Sequence, residues 1–519
     1  MATKSEINLD RYKRAISWIQ QHTIDNHGIA VTSKQNIIYP EVTGYYIPTL
    51  IRFGYKDLAL SYASYLVSIQ QEDGSWQDPE GNASYIFDSG QILKGLVAAY
   101  PLKTDLKDNI IRGCDWLISR INEEGELVTP SKDAWGDDRK FCDEYIHLYC
   151  LEPMMKAGKL FDRPDYLEKA EKIKKFYIET YKDRILHFDL LSHFHAYVLE
   201  ALVDIGEINL AREAMENVAT FQKPDGSVPG LNRVQWICST GLFQLAIAWF
   251  KLGDAERGKK AFDYACSLQN PSGGWYGSYS DIKWARELCL KRGMVHIFRT
   301  HTPYYFAKEE ISWAVKYFLD AIYYMNKCLF DSDDETFEQM SIASIPEEDG
   351  RYKIIEKAAV DVGEGGAVLD AGCGKGRYLK NLIETYPKLT YYGMDLSRAA
   401  LHSIHNAHIE TKQGILTNIP FTDESFDLVY CCEALEHAID VKTAVRELLR
   451  VTKKTGKVII IDKPIYKLGV MPIEAWEQWI NPIELQSIAE AEGRSLREIK
   501  NIHYEDEWTP DLFHAWIFQ

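Results

Sequence analysis

The spacing of apolar and polar residues along the chain changes once, near residue 330. Before that point, apolar residues recur every three or four positions, which is typical of amphipathic helices. Charged segments alternate about six times with more apolar ones, at a spacing of roughly 50 residues. We predict charged helices at 9–21, 56–71, 107–122, 166–181, 208–222 and 255–269, and apolar helices at 45–53, 88–100, 143–156, 192–205, 239–252 and 309–325.

A related phrase follows several of the charged helices. It runs from Gln70 to Trp76, and similar versions begin at Gln222 and Gln269. Its glycine predicts a left-handed helix stop. The phrase resembles the Gln-Trp motif of squalene-hopene cyclases, and the alternating helices resemble the α/α toroids of terpene cyclases, protein prenyltransferases and glycan-processing enzymes. That resemblance implies a toroid of six helix pairs over residues 1–330, in which Gln70, Trp76 and Trp275 are architectural.

The starts of the apolar helices carry acids, histidines and aromatic rings. At one mouth of a barrel, rings stack on the CH faces of a sugar or polyol and polar groups bond its hydroxyls. The alternative is that the acids cap helices and the histidines are structural. The candidate residues are Asp88, Asp143, Glu144, His193, His195, Arg233, Trp236, Tyr304 and Glu309.

Residues 331–350 are acidic, contain Pro346 and show little periodicity, which predicts a linker. The run 331–334 matches the Asp-x-Asp-Asp motif of class II terpene cyclases. Its position after the last apolar helix favours a solvated linker instead.

From residue 351 onward, short apolar segments alternate with helical ones. This alternation is typical of a parallel sheet that is covered on both faces. We predict strands at 367–370, 390–395, 413–416, 426–431, 456–462, 496–503 and 514–518, and helices at 354–362, 378–386, 397–405, 441–451 and 482–491.

A glycine-rich turn follows the first of these strands. Asp370 ends the strand, and Gly372, Gly374 and Gly376 follow at every second position, where a positive φ and close approach of a ligand both exclude a Cβ. Asp395 ends the next strand, where an acid can accept both hydroxyls of a ribose. These features fit either a dinucleotide or an adenosyl cofactor, but the spacing differs from the G-x-G-x-x-G dinucleotide fingerprint.

The turn resembles motif I of class I S-adenosylmethionine-dependent methyltransferases, and most closely the small-molecule group of ubiquinone-type and sugar-modifying enzymes. Further stretches match in order at 414–421, 425–430, 433–437, 446–451 and 456–458. The resemblance implies that S-adenosylmethionine is the cofactor and that the leading acid serves its methionine amino group. The implied cofactor-binding residues are Asp370, Gly372, Gly374, Gly376, Asp395, Leu396, Leu416, Thr417 and Cys432.

This sequence differs from the methyltransferase pattern in the residues that would bind the adenine. Many relatives carry an acid after the third strand, where this chain has Ile415, Leu416 and Thr417. We therefore expect backbone groups of Leu416 and Thr417, or Asn418, to hold the adenine.

The candidate catalytic residues follow the fourth strand. His437 is the candidate base for an oxygen nucleophile, and the family pattern makes Glu433 or Glu436 its partner or, in some members, a metal ligand. The alternative is that Glu436 and His437 cap or orient the next helix. The segment 463–482, with Tyr466, Trp476 and Trp479, is expected to form part of a lid over the acceptor.

Composition narrows the classes of partner. The formal net charge of −17 opposes nonspecific binding to nucleic acid or to anionic membranes. The sequence has no run of about 18 apolar residues that could span a bilayer. Its ten cysteines form no CxxC pair, which favours reduced thiols and a cytoplasmic location. Metal dependence and oligomeric state stay open.

The chain is thus expected to be multidomain, with an all-α (α/α)6 toroid over 1–330, an acidic linker over 331–350 and an α/β Rossmann-like methyltransferase domain over 351–519. The first functional hypothesis is methylation of a small molecule or glycan, as O-methylation in polysaccharide or related biosynthesis, with a toroid that binds or processes the substrate. The alternatives are a bifunctional protein whose toroid is a glycan lyase, hydrolase or epimerase, and a terpenoid methyltransferase with a noncatalytic toroid.

Overall fold

The computed structural model describes residues 4–130, 144–282, 300–331, 345, 349–471, 476–503 and 511–519. Contacts divide the chain into two units. The helical unit comprises the described residues within Arg11–Ile51 and Tyr55–Cys328, and the sheet unit comprises those within Met1–Asp10, Arg52–Gly54 and Leu329–Gln519. None of the helices in these described ranges combines the length and apolarity that crossing a bilayer requires.

Half-buried helices alternate with nearly fully buried ones in the helical unit. The half-buried helices are α1 (Lys4–His22), α3 (Lys56–Ser68), α5 (Lys107–Ser119), α7 (Pro164–Leu186), α9 (Ile208–Ala219) and α11 (Ala255–Cys266). The buried helices are α2 (Pro40–Arg52), α4 (Ile86–Ala99), α6 (Leu151–Leu160), α8 (Ser192–Asp204), α10 (Ser239–Lys251) and α12 (Ser312–Asp331). The predicted alternation of helices is confirmed.

Three of the buried helices differ from a predicted bound by four residues or more. The α12 helix is Ser312–Asp331 rather than 309–325. The α2 helix begins at Pro40 rather than at residue 45, because proline at the first helical position has a suitable φ and loses no helical hydrogen bond. The predicted helix at 143–156 is divided into a 3-10 segment, Glu144–Cys150, and α6.

The recurrent Gln phrase joins successive half-buried helices. The Gln70 side chain donates a hydrogen bond to the Asn109 carbonyl of α5 at 3.0 Å. The Gln269 side chain donates in the same way to the Arg11 carbonyl of α1 at 3.0 Å. These side chains therefore connect α3 to α5 and α11 back to α1.

The glycines and tryptophans of the phrase have separate structural roles. Gly74 and Gly273 adopt φ values of 94° and 99°, but α3 already ends at Ser68 and α11 at Cys266, with C-caps of negative φ. The prediction that these glycines stop the helices is therefore wrong, because they turn the loops that follow. Trp76 and Trp275 are fully buried, and their indole nitrogens donate to main-chain carbonyls at 2.8 and 2.9 Å. Each ring therefore anchors its loop to the end of the preceding helix.

The described residues of the sheet unit form a seven-stranded sheet in the order β6-β7-β5-β4-β1-β2-β3. They are β1 (Ala367–Ala371), β2 (Thr390–Asp395), β3 (Ile409–Gln413), β4 (Phe426–Cys432), β5 (Thr452–Asp462), β6 (Leu496–Ile502) and β7 (Phe513–Phe518). The helices of this unit are α13 (Gly350–Val360), α14 (Arg377–Thr385), α15 (Arg398–His402), α16 (Val441–Val451) and α17 (Pro482–Ala491). Of the predicted linker, residues 332–344 and 346–348 lie outside the described ranges.

The strands are not all parallel. Strands β1 to β5 pair in parallel, whereas β7 runs antiparallel to both β5 and β6. The prediction of a parallel sheet is therefore wrong for this edge. The alternation of strand and helix that favours parallel pairing ends at α17, after which two strands follow each other and pair directly.

The third strand lies at Ile409–Gln413, not at 413–416. It is an edge strand whose middle residues are polar and partly exposed, so an apolar run does not mark it. The apolar residues that suggested a strand lie instead in a turn, where Ile415 bridges to Asn418.

Alternate residues of the central strands enter two separate cores, one on each face of the sheet. Leu369 packs with Val429 and Ile460 on one face. Val368 packs with Leu428 on the other face. The prediction that helices cover both faces is confirmed. In such sheets a ligand binds at the carboxyl ends of the strands.

Candidate functional site

The turn after β1 has the backbone that its glycines predict. Gly372, Gly374 and Gly376 have φ values of 89°, 51° and 72°. A Cβ on Gly372 would lie 2.4 Å from the Cβ of Ala434, so the segment after β4 packs directly on this turn. A Cβ on Gly374 would meet no described atom within 4 Å. The bare backbone at Gly374 therefore borders open space.

The end of β2 holds this turn in place. The Asp395 carboxylate accepts hydrogen bonds from the main-chain nitrogens of Gly374 and Ser397, each at 2.8 Å. The Gly372 nitrogen donates to the Met394 carbonyl at 2.7 Å. One carboxylate therefore links the turn after β1 to the end of β2.

Asp370 places a second carboxyl at the end of β1. It is buried, and burial raises its pKa to about 8, while the Tyr430 hydroxyl lowers that pKa and the charge of Asp395 raises it further. A buried carboxylate is costly without a positive partner. A positively charged ligand group would stabilise the ionised form of Asp370.

Glu433, at the end of β4, is already ion-paired. Its side chain contacts the guanidinium of the fully buried Arg351, which also pairs with Asp349 at 3.0 and 3.1 Å. Glu433 has a φ of 51°, a conformation that is strained for a residue with a side chain. This pairing favours a structural role for Glu433 over that of a free base.

Sequence reasoning missed Asp349 and Arg351 because both lie at the edge of the predicted linker. The signal for Asp349 was an acid directly before a helix. Its carboxylate accepts the Arg351 main-chain N–H at 2.9 Å and caps α13.

Glu436 belongs to a buried cluster at the end of β5. Its carboxylate pairs with the Lys463 ammonium, which lies 3.7 Å from Glu477. The Glu436 main-chain N–H donates to Asp462 at 3.0 Å. Burial raises the pKa of Glu436 to about 10 and that of Asp462 to about 7. Two carboxyls, those of Glu436 and Glu477, therefore share the Lys463 ammonium, and Asp462 lies beside them with hydrogen bonds to main-chain N–H groups. This arrangement favours a structural role for Glu436.

His437 ends the short 3-10 segment Leu435–His437. Its side chain is 36% exposed, and its Nε2 lies 3.6 Å from a Glu436 oxygen, which is longer than a hydrogen bond. Burial lowers the pKa of His437 to about 4. The ring is therefore neutral at pH 7 and able to accept a proton, and it follows by three residues the Ala434 that packs on Gly372.

The other predicted cofactor residues are distributed over neighbouring strand ends. Leu396 directly follows β2 and is half-buried, and Cys432 is the last residue of β4. Leu416 and Thr417 are buried in the turn after β3. Among the described residues, no group of three or more His, Cys, Asp or Glu side chains is arranged to hold a metal ion.

The predicted lid segment is partly buried. Trp476 and Trp479 are only 8% and 4% exposed, and the Trp479 indole donates to Glu477 of the buried cluster at 2.8 Å. Tyr466 is 56% exposed, and its hydroxyl contacts His514. The two tryptophans therefore pack within the sheet unit, and the role of the segment as a lid stays a prediction.

In the helical unit, two of the predicted residues line one cavity of about 320 Å³, namely Asp88 and His193. Asp88 is the third residue of α4 and does not occupy its N-cap, which is Tyr85. The capping alternative is therefore wrong for Asp88. The His193 Nδ1 lies 2.5 Å from the Gln244 side-chain oxygen, and burial lowers the pKa of His193 to about 3.

The remaining predicted residues of the helical unit are not among those that line this cavity in the described ranges. His195 and Trp236 are fully buried, and Tyr304 is 52% exposed. Glu144 begins the 3-10 segment, and Glu309 accepts a hydrogen bond from Thr32 at 2.9 Å. Arg233 is exposed, and Asp143 lies outside the described residues.

Sequence reasoning missed one acid that lines the cavity. Glu41 is buried there, in the first turn of α2. The predicted helix began at residue 45 and so excluded it. The signal was Pro40, because proline followed by an acid is typical of the start of a helix.

Gly374→Ala tests whether the glycine turn contacts the cofactor, once the loss of stability from a left-handed backbone has been controlled for. The added Cβ enters the open space beside the backbone, so we expect the affinity for S-adenosylhomocysteine to fall roughly tenfold. Gly493→Ala is the matched control, because Gly493 has a φ of 65° and equally open surroundings. Both variants should lose about 1 kcal/mol of stability, and calorimetry should detect weaker binding only for Gly374→Ala. Equal affinities of the two variants would show that the turn does not contact the ligand.

Comparison with known proteins agrees with this geometry. The family profile of a methyltransferase domain matches residues 369–460. The ubiquinone biosynthesis O-methyltransferase of Alkalilimnicola ehrlichii is 31% identical over 163 residues, which cover 27% of this chain and 65% of that protein. A malonyl-(acyl-carrier protein) O-methyltransferase of Halorhodospira halophila is 30% identical and covers 25% of this chain and 45% of that protein.

A demethylmenaquinone methyltransferase of Lactobacillus johnsonii is also 30% identical, over 28% of this chain and 62% of that protein. The chain spans less than two thirds of the length of these curated relatives. The similarities identify a methyltransferase domain in the sheet unit and confirm S-adenosylmethionine as its cofactor.

Proposed function

We propose that the protein is an S-adenosylmethionine-dependent methyltransferase whose acceptor is a small molecule or a glycan. The observation that carries the proposal is the hydrogen bond from the Gly374 N–H of the glycine turn to the Asp395 carboxylate, beside the buried carboxyl of Asp370. The relatives' names support a small-molecule acceptor. When bound, the cofactor supplies an already activated methyl group.

The residues at the strand ends suit the parts of that cofactor. Asp370 would hold the ammonium of the methionine end, since a buried carboxyl with a raised pKa gains most from a cation. The glycine turn leaves room for the cofactor to pass close to the backbone. Asp395 would accept the ribose hydroxyls, and the turn that contains Leu416, Thr417 and Asn418 would hold the adenine.

His437 is the proposed base for an oxygen nucleophile. It is neutral at physiological pH, and it follows the segment that packs on the glycine turn. Glu433 and Glu436 act in this proposal as positioning residues, since each is paired with a buried cation. The chain then orients the acceptor oxygen, takes its proton at a ring nitrogen of His437 and excludes water.

The pH dependence of methyl transfer tests the role of His437. Because its pKa is lowered to about 4, the unprotonated base is present above that pH. We expect the rate to stay nearly constant between roughly pH 6 and pH 8 and to fall only toward pH 4. His437→Gln should remove this acid limb while S-adenosylhomocysteine still binds. An acid limb that persists unchanged in His437→Gln would exclude His437 as the base.

The helical unit is proposed to be an (α/α)6 toroid that binds the acceptor, in a cytoplasmic protein. The alternation of buried and half-buried helices and the link from Gln269 to Arg11 support a closed ring. The aromatic and acidic lining of its cavity supports a sugar or polyol ligand. A separate glycan lyase, hydrolase or epimerase activity is the second candidate, favoured by the buried pair of Glu41 and Asp88.

Transfer of an isotopically labelled methyl group tests the proposed function directly. The full chain is incubated with methyl-labelled S-adenosylmethionine and a panel of sugars, amino sugars and quinol-type phenols, and labelled products are detected by mass spectrometry. We expect at least one hydroxylated acceptor to gain the label with wild type and none with Asp395→Ala. Change of a glycan without gain of label, abolished by Asp88→Asn, would support the second candidate instead.

A further inference from the structure

The cavity of the helical unit combines a wall of aromatic rings with two buried acids. Its volume is about 320 Å³, and its lining includes Tyr45, Phe87, Tyr197 and Trp313 together with Glu41 and Asp88. The rings contact one another, since the Phe87 and Tyr197 centroids are 5.0 Å apart. A cavity of this size accommodates a small organic molecule.

Asp88 provides an observation that points to a ligand. It is 4% exposed, and its Oδ2 has no hydrogen-bond partner among the described residues. Its carboxyl also interacts with the Tyr39 hydroxyl, which belongs to the same lining. A buried polar atom without a partner costs roughly 1–3 kcal/mol, so a donor in the cavity would remove a penalty that the protein otherwise carries.

The charge of the lining has one sign. The charged side chains among the described lining residues are Glu41, Glu80 and Asp88, and the histidine of this lining, His193, has a pKa that burial lowers to about 3. Burial raises the pKa of Asp88 to about 7, with Asp78 adding to the rise. Burial and the charge of Asp88 also raise the pKa of Glu41, against which Lys316 acts.

The nearby Lys316 compensates this pair only in part, since it lowers the pKa of Glu41 but has other partners. Its ammonium lies 2.8 Å from Asp320 and 3.7 Å from the centre of the Tyr317 ring. Lys316 is not among the lining residues. Two adjacent buried carboxyls therefore face the cavity with little positive compensation, and a cation in the cavity would favour the ionised form of both.

We propose that the cavity binds a small organic ammonium, with Asp88 as its carboxylate partner and the aromatic rings around its apolar part. An ammonium supplies both a positive charge and hydrogen-bond donors to Asp88. Aromatic faces attract cations as well as apolar groups. An amino sugar would offer its ammonium to Asp88, its CH faces to the aromatic rings and its hydroxyls to the polar groups of the lining.

This inference deepens the proposed function. It rests on that function only in identifying the bound amine with the methyl acceptor. A neutral polyol is the competing ligand. It would offer hydroxyl donors to Asp88 but no charge to compensate the pair of Glu41 and Asp88. An experiment therefore has to compare ligands that differ in charge but have nearly the same shape.

Calorimetry with paired probes on the full chain isolates that property. Benzylamine and benzyl alcohol have nearly the same shape but differ in charge, and glucosamine and glucose form a second such pair. We expect each amine to bind roughly tenfold more tightly than its neutral partner. Asp88→Asn should abolish that preference and Glu41→Gln should reduce it.

Asp57→Asn is the control for general attraction to an acidic protein, because Asp57 is an exposed acid on α3. It should bind the amines as wild type does. Titration of each sample with S-adenosylhomocysteine separates the two proposals, since a failure of cofactor binding refutes the methyltransferase assignment and leaves the amine result intact.

Several results would overturn the inference. They are equal affinities within both pairs of probes, no binding of any probe to wild type, or an amine preference that survives in Asp88→Asn. Tight binding of glucose and glucosamine alike would identify a polyol site instead. The comparison of probes on wild type decides the matter even where a variant does not fold.

Discussion

Asp395→Ala should weaken the binding of S-adenosylhomocysteine by roughly two orders of magnitude, because hydrogen bonds to a charged group each contribute about 1.5–3 kcal/mol. The carboxylate holds the glycine turn through Gly374 at 2.8 Å and is the proposed acceptor for the ribose hydroxyls. The substitution therefore removes a ligand contact and loosens the turn together. Calorimetric titration of wild type and variant with S-adenosylhomocysteine measures the loss.

Glu410→Ala is the matched control for Asp395→Ala. Glu410 is an exposed acid on the neighbouring strand β3, so its loss changes the net charge equally without touching the turn. We expect its affinity for S-adenosylhomocysteine to equal that of wild type. If Asp395→Ala keeps its circular dichroism spectrum and binds within about twofold of wild type, the assignment of Asp395 to the cofactor is wrong.

Lys463→Met should lower the free energy of unfolding by about 3–5 kcal/mol, since it removes the ammonium that pairs with a buried group of carboxyls. Lys463 is buried, pairs with Glu436 and lies 3.7 Å from Glu477. Urea unfolding followed by tryptophan fluorescence measures the loss. Lys442→Met is the control, because Lys442 pairs with Glu484 at the surface at 3.5 Å and such pairs contribute about 0–1 kcal/mol.

The loss caused by Lys463→Met should depend on pH. The folded pKa values of Glu436 and Asp462 are raised to about 10 and about 7, so these carboxyls bind protons on folding and cost stability as pH rises. Without Lys463 the cost of ionising them is larger. We therefore expect a greater loss near pH 8 than near pH 5. A loss that is equal at the two pH values, or that is no greater than that of Lys442→Met, would contradict the shared-cation account.

The sequence predicted those parts of the fold that local chemistry determines. The helix pairs and the glycine turn were predictable because apolar periodicity and the steric demands of a positive φ act over a few residues. The ends of the first two strands, at Ala371 and Asp395, were predictable to within one residue for the same reason. Edge strand β3 was misplaced, since its residues are partly exposed and carry no apolar run.

The contacts that assign roles to the candidate residues were not predictable. Glu433 is held by Arg351, 82 residues earlier in the chain, and Glu436 by Lys463, 27 residues later. The first pairing depends on where the start of α13 packs against the end of β4, and the second on β4 and β5 being neighbours. Neither is a property of local sequence. Of the three, His437 is the one whose lowered pKa favours a neutral side chain, and it is therefore the proposed base.

Calorimetric titration of the wild-type chain with S-adenosylhomocysteine tests the central claim most directly. The account predicts saturable binding of one ligand per chain, and markedly weaker binding of NADH, because the glycine spacing and the buried Asp370 suit an adenosyl amino acid rather than a pyrophosphate. Absence of S-adenosylhomocysteine binding, or binding of NADH with equal affinity, would contradict it.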